Sequence, residues 1–155
     1  MKNQDRKDST KTRCLVSWLG ASCVGFIAAS LFHSQQVQAN LINVGANVDI
    51  ATRFAAATDD LLGLSASYLP IIAIGFAIAF SVATFIKRKT ALAPTLLYGL
   101  AGATALGCIL GLMQPIMEIT LIAGARHWVG FCLQIIAGAL GGFTYALLVQ
   151  PRPTA

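Results

Sequence analysis

The chain has 155 residues, 56% of them hydrophobic and 11% charged, with a formal net charge of +5 and a mean hydropathy of +0.71. Soluble domains carry about 25% charged residues, and a disordered chain needs low hydrophobicity with high charge, so both classes are excluded. The 14 Gly and 5 Pro show no collagen triplet, and 4 Cys are too sparse for a secreted disulfide scaffold. An all-α integral membrane protein remains.

Residues 1–13 form a basic tail in which Lys2, Arg6, Lys7, Lys11 and Arg13 outweigh Asp5 and Asp8. Cys14 to Ser34 carries no Asp, Glu, Lys or Arg and predicts transmembrane helix one over 14–34, since a span needs about 20 mostly apolar residues. The same stretch also reads as a signal peptide, with Val37-Gln38-Ala39 before Asn40 as an A-x-A-like cleavage site. Its apolar run exceeds the usual length of an h-region, which favours an uncleaved signal anchor.

Residues 35–67 form an outer segment. Ile50, Phe54, Ala57, Leu61 and Leu64 recur at spacings of four and three, while Asp49, Arg53, Ala56 and Asp60 fall on the opposite face. That pattern predicts a separate amphipathic helix lying in the outer headgroup layer. Residues 68–149 then hold three more spans, near Tyr68–Ile86, Leu92–Met113 and Trp128–Val149, and 150–155 is a short tail. Backbone groups in lipid must pair internally, so each run is helical. Without strict alternation of apolar and polar residues, a β-barrel is excluded. The connection Gln114–Arg126 is apolar enough to lie at the interface beneath the amphipathic helix.

The expected fold is therefore a four-helix transmembrane bundle with both termini cytoplasmic (N-in/C-in). That orientation puts the basic tail, Lys87-Arg88-Lys89 and Arg152 inside, leaving Arg53 and Arg126 outside, as the positive-inside rule requires. The cytoplasmic (inner) membrane is the expected location. The basic tail lacks the aromatic interleaving of a nucleic-acid binder, and attraction to anionic lipid explains it.

Helices in lipid associate through small residues and interhelical hydrogen bonds. Gly99, Ala103, Gly107 and Gly111 form one column in helix three, and Gly130, Gly138 and Gly142 another in helix four, with Gln134 in the missing step. Helix one offers Ser17, Ala21, Gly25 and Ala29, and helix two Gly75, Ala79 and Ala83. These columns are the candidate packing sites, and Gln134 is the candidate polar core residue.

No Asp, Glu, Lys or Arg lies inside a span, which takes weight from proton-coupled carriers and pumps. His33 and His127 both fall at the outer side as a speculative metal or haem pair, and Glu118 with Arg126 forms a candidate outer polar patch. Cys108 and Cys132 are the thiols nearest to a pairing geometry, without a C-x-x-C motif. Catalytic templates such as the P-loop and G-x-S-x-G are absent, and no cofactor is expected. The leading expectation is a non-enzymatic accessory, assembly or scaffold subunit, partnered by the bilayer and by another membrane protein or itself, with no nucleic acid. A carrier or channel for an uncharged solute is the alternative, and a haem or thiol redox protein stands behind it.

Overall fold

A computed structural model of the protein describes residues 2–43, 50–90, 92–117 and 128–150, with side chains over 11–39, 54–90, 92–112 and 128–150. Four helices follow one another: α1 (Lys2–Asn43), α2 (Ile50–Lys87), α3 (Pro94–Met117) and α4 (Trp128–Val149). Each contains a stretch long and apolar enough to cross a membrane. They form a ring in which α1 packs on α2, α2 on α3, α3 on α4 and α4 back on α1.

The side-chain distribution is inverted relative to a soluble bundle. Large aliphatic residues such as Leu19, Ile27, Ile74, Ile78, Leu100, Ile136 and Leu147 face outward, whereas Ser17, Ser22, Ala21 and Ala29 are buried. Lipid is as apolar as Leu, so burying Leu gains little there, and close backbone approach decides what goes inside.

Two helices are longer than the hydropathy suggested. α1 continues through His33-Ser34-Gln35-Gln36-Val37-Gln38-Ala39, past the expected end at 34. No Gly or Pro interrupts that stretch, so the hydrogen-bond ladder continues after the apolar run stops. Likewise, the amphipathic stretch from Ile50 is not a separate element: it is the first third of α2, continuous with the second span. Gly63 alone does not break it. Pro70 lies inside α2 and removes one ladder donor, which spanning helices tolerate.

Contacts between helices fix which ends lie together. At one end Arg13 donates through Nε to the Leu148 carbonyl (3.2 Å) and through its guanidinium to that of Gln150. Gln150 Nε2 reaches Thr95 Oγ1 at 3.5 Å. The α2–α3 connection lies beside them. There Lys89 N and Thr90 N bond the Ile86 carbonyl, and Lys89 Nζ lies 5.0 Å above the Phe85 ring. Pro94 opens α3, where its missing N–H costs nothing. Lys11, Arg13 and Lys87-Arg88-Lys89 thus share this basic end, and neighbouring helices run antiparallel.

At the opposite, distal end α1 outruns α4. Gln134 bonds Ala29; Asn43 lies fourteen residues beyond Ala29, and Trp128 six beyond Gln134. The difference of eight residues is about 12 Å at 1.5 Å per residue.

Candidate functional site

The α3–α4 seam sets the geometry of the bundle. A Cβ built on Gly102 would lie 2.1 Å from the Gly138 carbonyl oxygen, and one on Gly138 would lie 2.3 Å from that of Gly102. A Cβ on Gly142 would fall 2.0 Å from the Tyr98 carbonyl oxygen. Only hydrogen fits at these positions.

On α3 the contact line runs through Tyr98, Gly102, Ala105 and Leu106, all buried, and not along the column expected from Gly99 to Gly111. Gly99 is buried against the Phe143 ring, Ala103 and Gly107 are half-buried, and Gly111 faces open space. The reason is geometric. A strict four-residue step turns 40° too far in a helix of 3.6 residues per turn, so the column winds away from a seam that alternates threes and fours. On α4 the same winding moves the column from one neighbour to the next. Gly130 and Gln134 are buried, Gln134 against α1, and Gly138 and Gly142 against α3.

At mid-depth, Phe76 of α2 is fully buried. Its ring occupies the space that Cβ atoms at Gly25 and Gly141 would take, 2.8 and 2.5 Å away. Towards the basic end, aromatic contacts continue: Phe76 on Phe80 at 5.0 Å, Phe80 stacked on Tyr145 at 4.3 Å, and Tyr145 edge-on to Tyr98 at 4.9 Å. Thr84 Oγ1 and Tyr98 OH share a hydrogen bond of 3.0 Å.

Towards the distal end the interior turns polar. Gln134, 1% exposed, donates through Nε2 to the Ala29 carbonyl at 2.9 Å. Its Oε1 accepts from Tyr68 OH at 3.3 Å. One amide therefore ties α4 to α1 and to α2. Ser30, His33, Ser34 and Gln38 continue this interior along α1, all buried, with Gln38 Nε2 donating to Ser34 Oγ at 3.0 Å. Asp60 of α2, half-buried, stands close enough to His33 for their charges to interact. In the sequence Asp60 belongs to the polar face of an amphipathic helix, but that face turns partly inward here. Leu61 and Leu64 pack beside it on the core.

The expected polar core residue thus lies at a three-helix junction. The partners it meets there, Tyr68 and the Ala29 carbonyl, leave no trace in a hydropathy profile, because a tyrosine and a backbone oxygen look like ordinary span residues. The i, i+4, i+8 spacing of Ser30, Ser34 and Gln38 was a usable signal for the polar stripe of α1.

His127, Glu118 and Arg126 lie outside the described residues, as does most of the Gln114–Arg126 connection. Cys14, Cys23, Cys108 and Cys132 are free thiols, and Cys23, Cys108 and Cys132 face outward. Among the described residues no group of three or more His, Cys, Asp or Glu could hold a metal ion. No protein-family model, curated protein or solved structure matches the chain.

Proposed function

We propose that this small multi-pass membrane protein is a non-enzymatic accessory, assembly or scaffold subunit of a cytoplasmic (inner) membrane, N-in/C-in, whose partner is another membrane protein. The observation that carries this reading is the distal extension of α1 and α2. Phe54 is 74% exposed and Leu62 68% exposed on α2, about 80° apart around the helix at 3.6 residues per turn. A large exposed aromatic and a leucine beyond the tightly packed seam suit a helix of a second protein. The gathering of Lys11, Arg13 and Lys87-Arg88-Lys89 at the other end supports a cytoplasmic assignment for that end.

The test is a native mass spectrum after extraction in mild detergent. A heavier assembly containing a second polypeptide is expected, and Phe54→Glu should release it while the four-helix bundle persists. The chain appearing alone in every mild detergent, with or without the substitution, defeats the reading; a homo-oligomer shifts the partner to a second copy.

The Gln134–Tyr68 junction favours a second reading, a carrier or channel for an uncharged solute. Phe76 weighs against a through path, because its ring fills the space between α1 and α4. Liposomes holding the protein should leak a neutral solute no faster than empty ones; a leak abolished by Gln134→Leu would reverse the order of the two readings.

A further inference from the structure

At the basic end, the outer flank between α1 and α4 is not filled by side chains. Thr12, Arg13, Val16 and Ser17 of α1 and Leu148 of α4 line an open groove of 420 Å³ there. Its character changes along α1. Thr12 and Arg13 form an exposed polar rim. Val16, one turn and about 6 Å deeper, is 60% exposed, and Leu148 is 44% exposed. Leu148 seats against α1, since a Cβ built on Gly20 would lie 3.2 Å from its Cδ1. Ser17 Oγ already donates to the Arg13 carbonyl at 2.8 Å, so the deeper part of the groove is apolar in effect.

Depth and charge define what fits. From Cys14 to Ser34 the chain carries no Asp, Glu, Lys or Arg, so Arg13 marks headgroup level and Val16 and Leu148 lie at the level of the acyl chains. An occupant must therefore be polar at one end and apolar at the other. The Arg13 guanidinium is held at the rim by its bonds to the Leu148 and Gln150 carbonyls. Those bonds use two of its five donors, and the rest suit the oxygens of a phosphate. Thr12 adds a hydroxyl to the rim, and Lys11 precedes it. The acids among the described side chains, Asp59 and Asp60, belong to the distal part of α2. Uncompensated positive charge favours a headgroup whose phosphate is not cancelled by an amine. Basic recesses between helices at the membrane surface recognise anionic lipid in this way.

We infer that the groove between α1 and α4 is a binding site for one anionic phospholipid, with its phosphate on Arg13 and an acyl chain along Val16 and Leu148. This differs from the general attraction of a basic tail to a charged surface, because one lipid is assigned to one groove. It is independent of the subunit reading and of the side on which the basic end lies.

The test uses the full chain in mild detergent, with phosphatidylglycerol or phosphatidylcholine added in equal amounts and retained lipid read by native mass spectrometry. The chain should retain one phosphatidylglycerol, in about fivefold preference to phosphatidylcholine. Arg13→Gln should lower that retention about fivefold, the factor that one basic group near an anionic surface supplies. Arg88→Gln removes the same charge at the same end but outside the groove, and should leave retention within about twofold of the parent. Val16→Trp fills the groove from an exposed position and leaves the Arg13 bonds in place; it should lower retention as much as Arg13→Gln. Equal retention of the two lipids, equal losses for Arg13→Gln and Arg88→Gln, or a Val16→Trp chain that retains phosphatidylglycerol like the parent overturns the inference. Inorganic phosphate in excess should leave the lipid in place. Displacement by phosphate would assign the rim to a free anion and overturn the lipid site.

Discussion

Gln134 and the seam glycines concentrate the structural information held by single residues. Gln134→Leu removes two interhelical hydrogen bonds and strands the Tyr68 hydroxyl. Such bonds average about 0.6 kcal/mol in membrane bundles and reach about 1.7, so a loss near the upper figure is expected in the thermal midpoint measured in detergent. The glycines of α3 separate by sign. Gly102→Ala drives a methyl into the Gly138 carbonyl, and backbone cannot yield as a side-chain tip can. A cost of about 1–3 kcal/mol follows. Gly111→Ala meets open space and should instead stabilise the helix by up to about 1 kcal/mol. Finding both substitutions neutral in the same unfolding assay would mean that α3 and α4 do not meet at Gly102. Gly111 looks like part of the column in the sequence because spacing reports a residue's phase on its own helix, whereas contact depends on the neighbour's path.

Among the elements, α1 and α4 are joined at both depths, by Arg13 near the basic end and by Ala29 with Gln134 near the distal end. The Arg13 guanidinium bonds carbonyls at the C-terminus of α4, where the helix leaves acceptors unpaired and the macrodipole favours a cation. Arg13→Gln should weaken this cap by about 0.3–1 kcal/mol. Hydrogen exchange should accelerate in the last turn of α4 and remain unchanged in α3; uniform acceleration would mean that the arginine acts on the whole bundle. A sequence reading places Arg13 in a tail, because charge marks it as outside the hydrocarbon. Its role as a cap belongs to a residue 135 positions away. The merger of the amphipathic stretch with the second span has a comparable cause. Hydropathy changes near Tyr68, but the backbone ladder responds to breakers, and neither Gly63 nor Pro70 ends it.

For the whole molecule, the tight seam, the central Phe76 and the aromatic contacts below it hold one half of the bundle, while the distal half adds the Gln134 junction and the polar stripe of α1 to its apolar core. Under the proposed orientation, a membrane-impermeant thiol reagent added outside should label Phe54→Cys, and Lys89→Cys only after the membrane is opened. The reverse pattern would place the basic end outside and remove the cytoplasmic assignment of both termini. Mutating Phe54 should leave the thermal midpoint within about 0.5 kcal/mol of the parent, as for other exposed positions. A large drop would show that Phe54 supports the bundle and does not serve as a contact for a partner.

The sequence by itself determined that the chain is helical and apolar enough for four membrane spans, because 20-residue runs without charge admit no other backbone pairing in lipid. The bounds of α4 and the presence of a buried Gln134 were also legible, since both depend on local composition. Tertiary structure alone decided which glycines meet, that Phe76 closes the centre, and that Tyr68, Ala29 and Gln134 converge. Each of these depends on the relative rotation and tilt of two helices. The period of either helix alone leaves those angles undetermined.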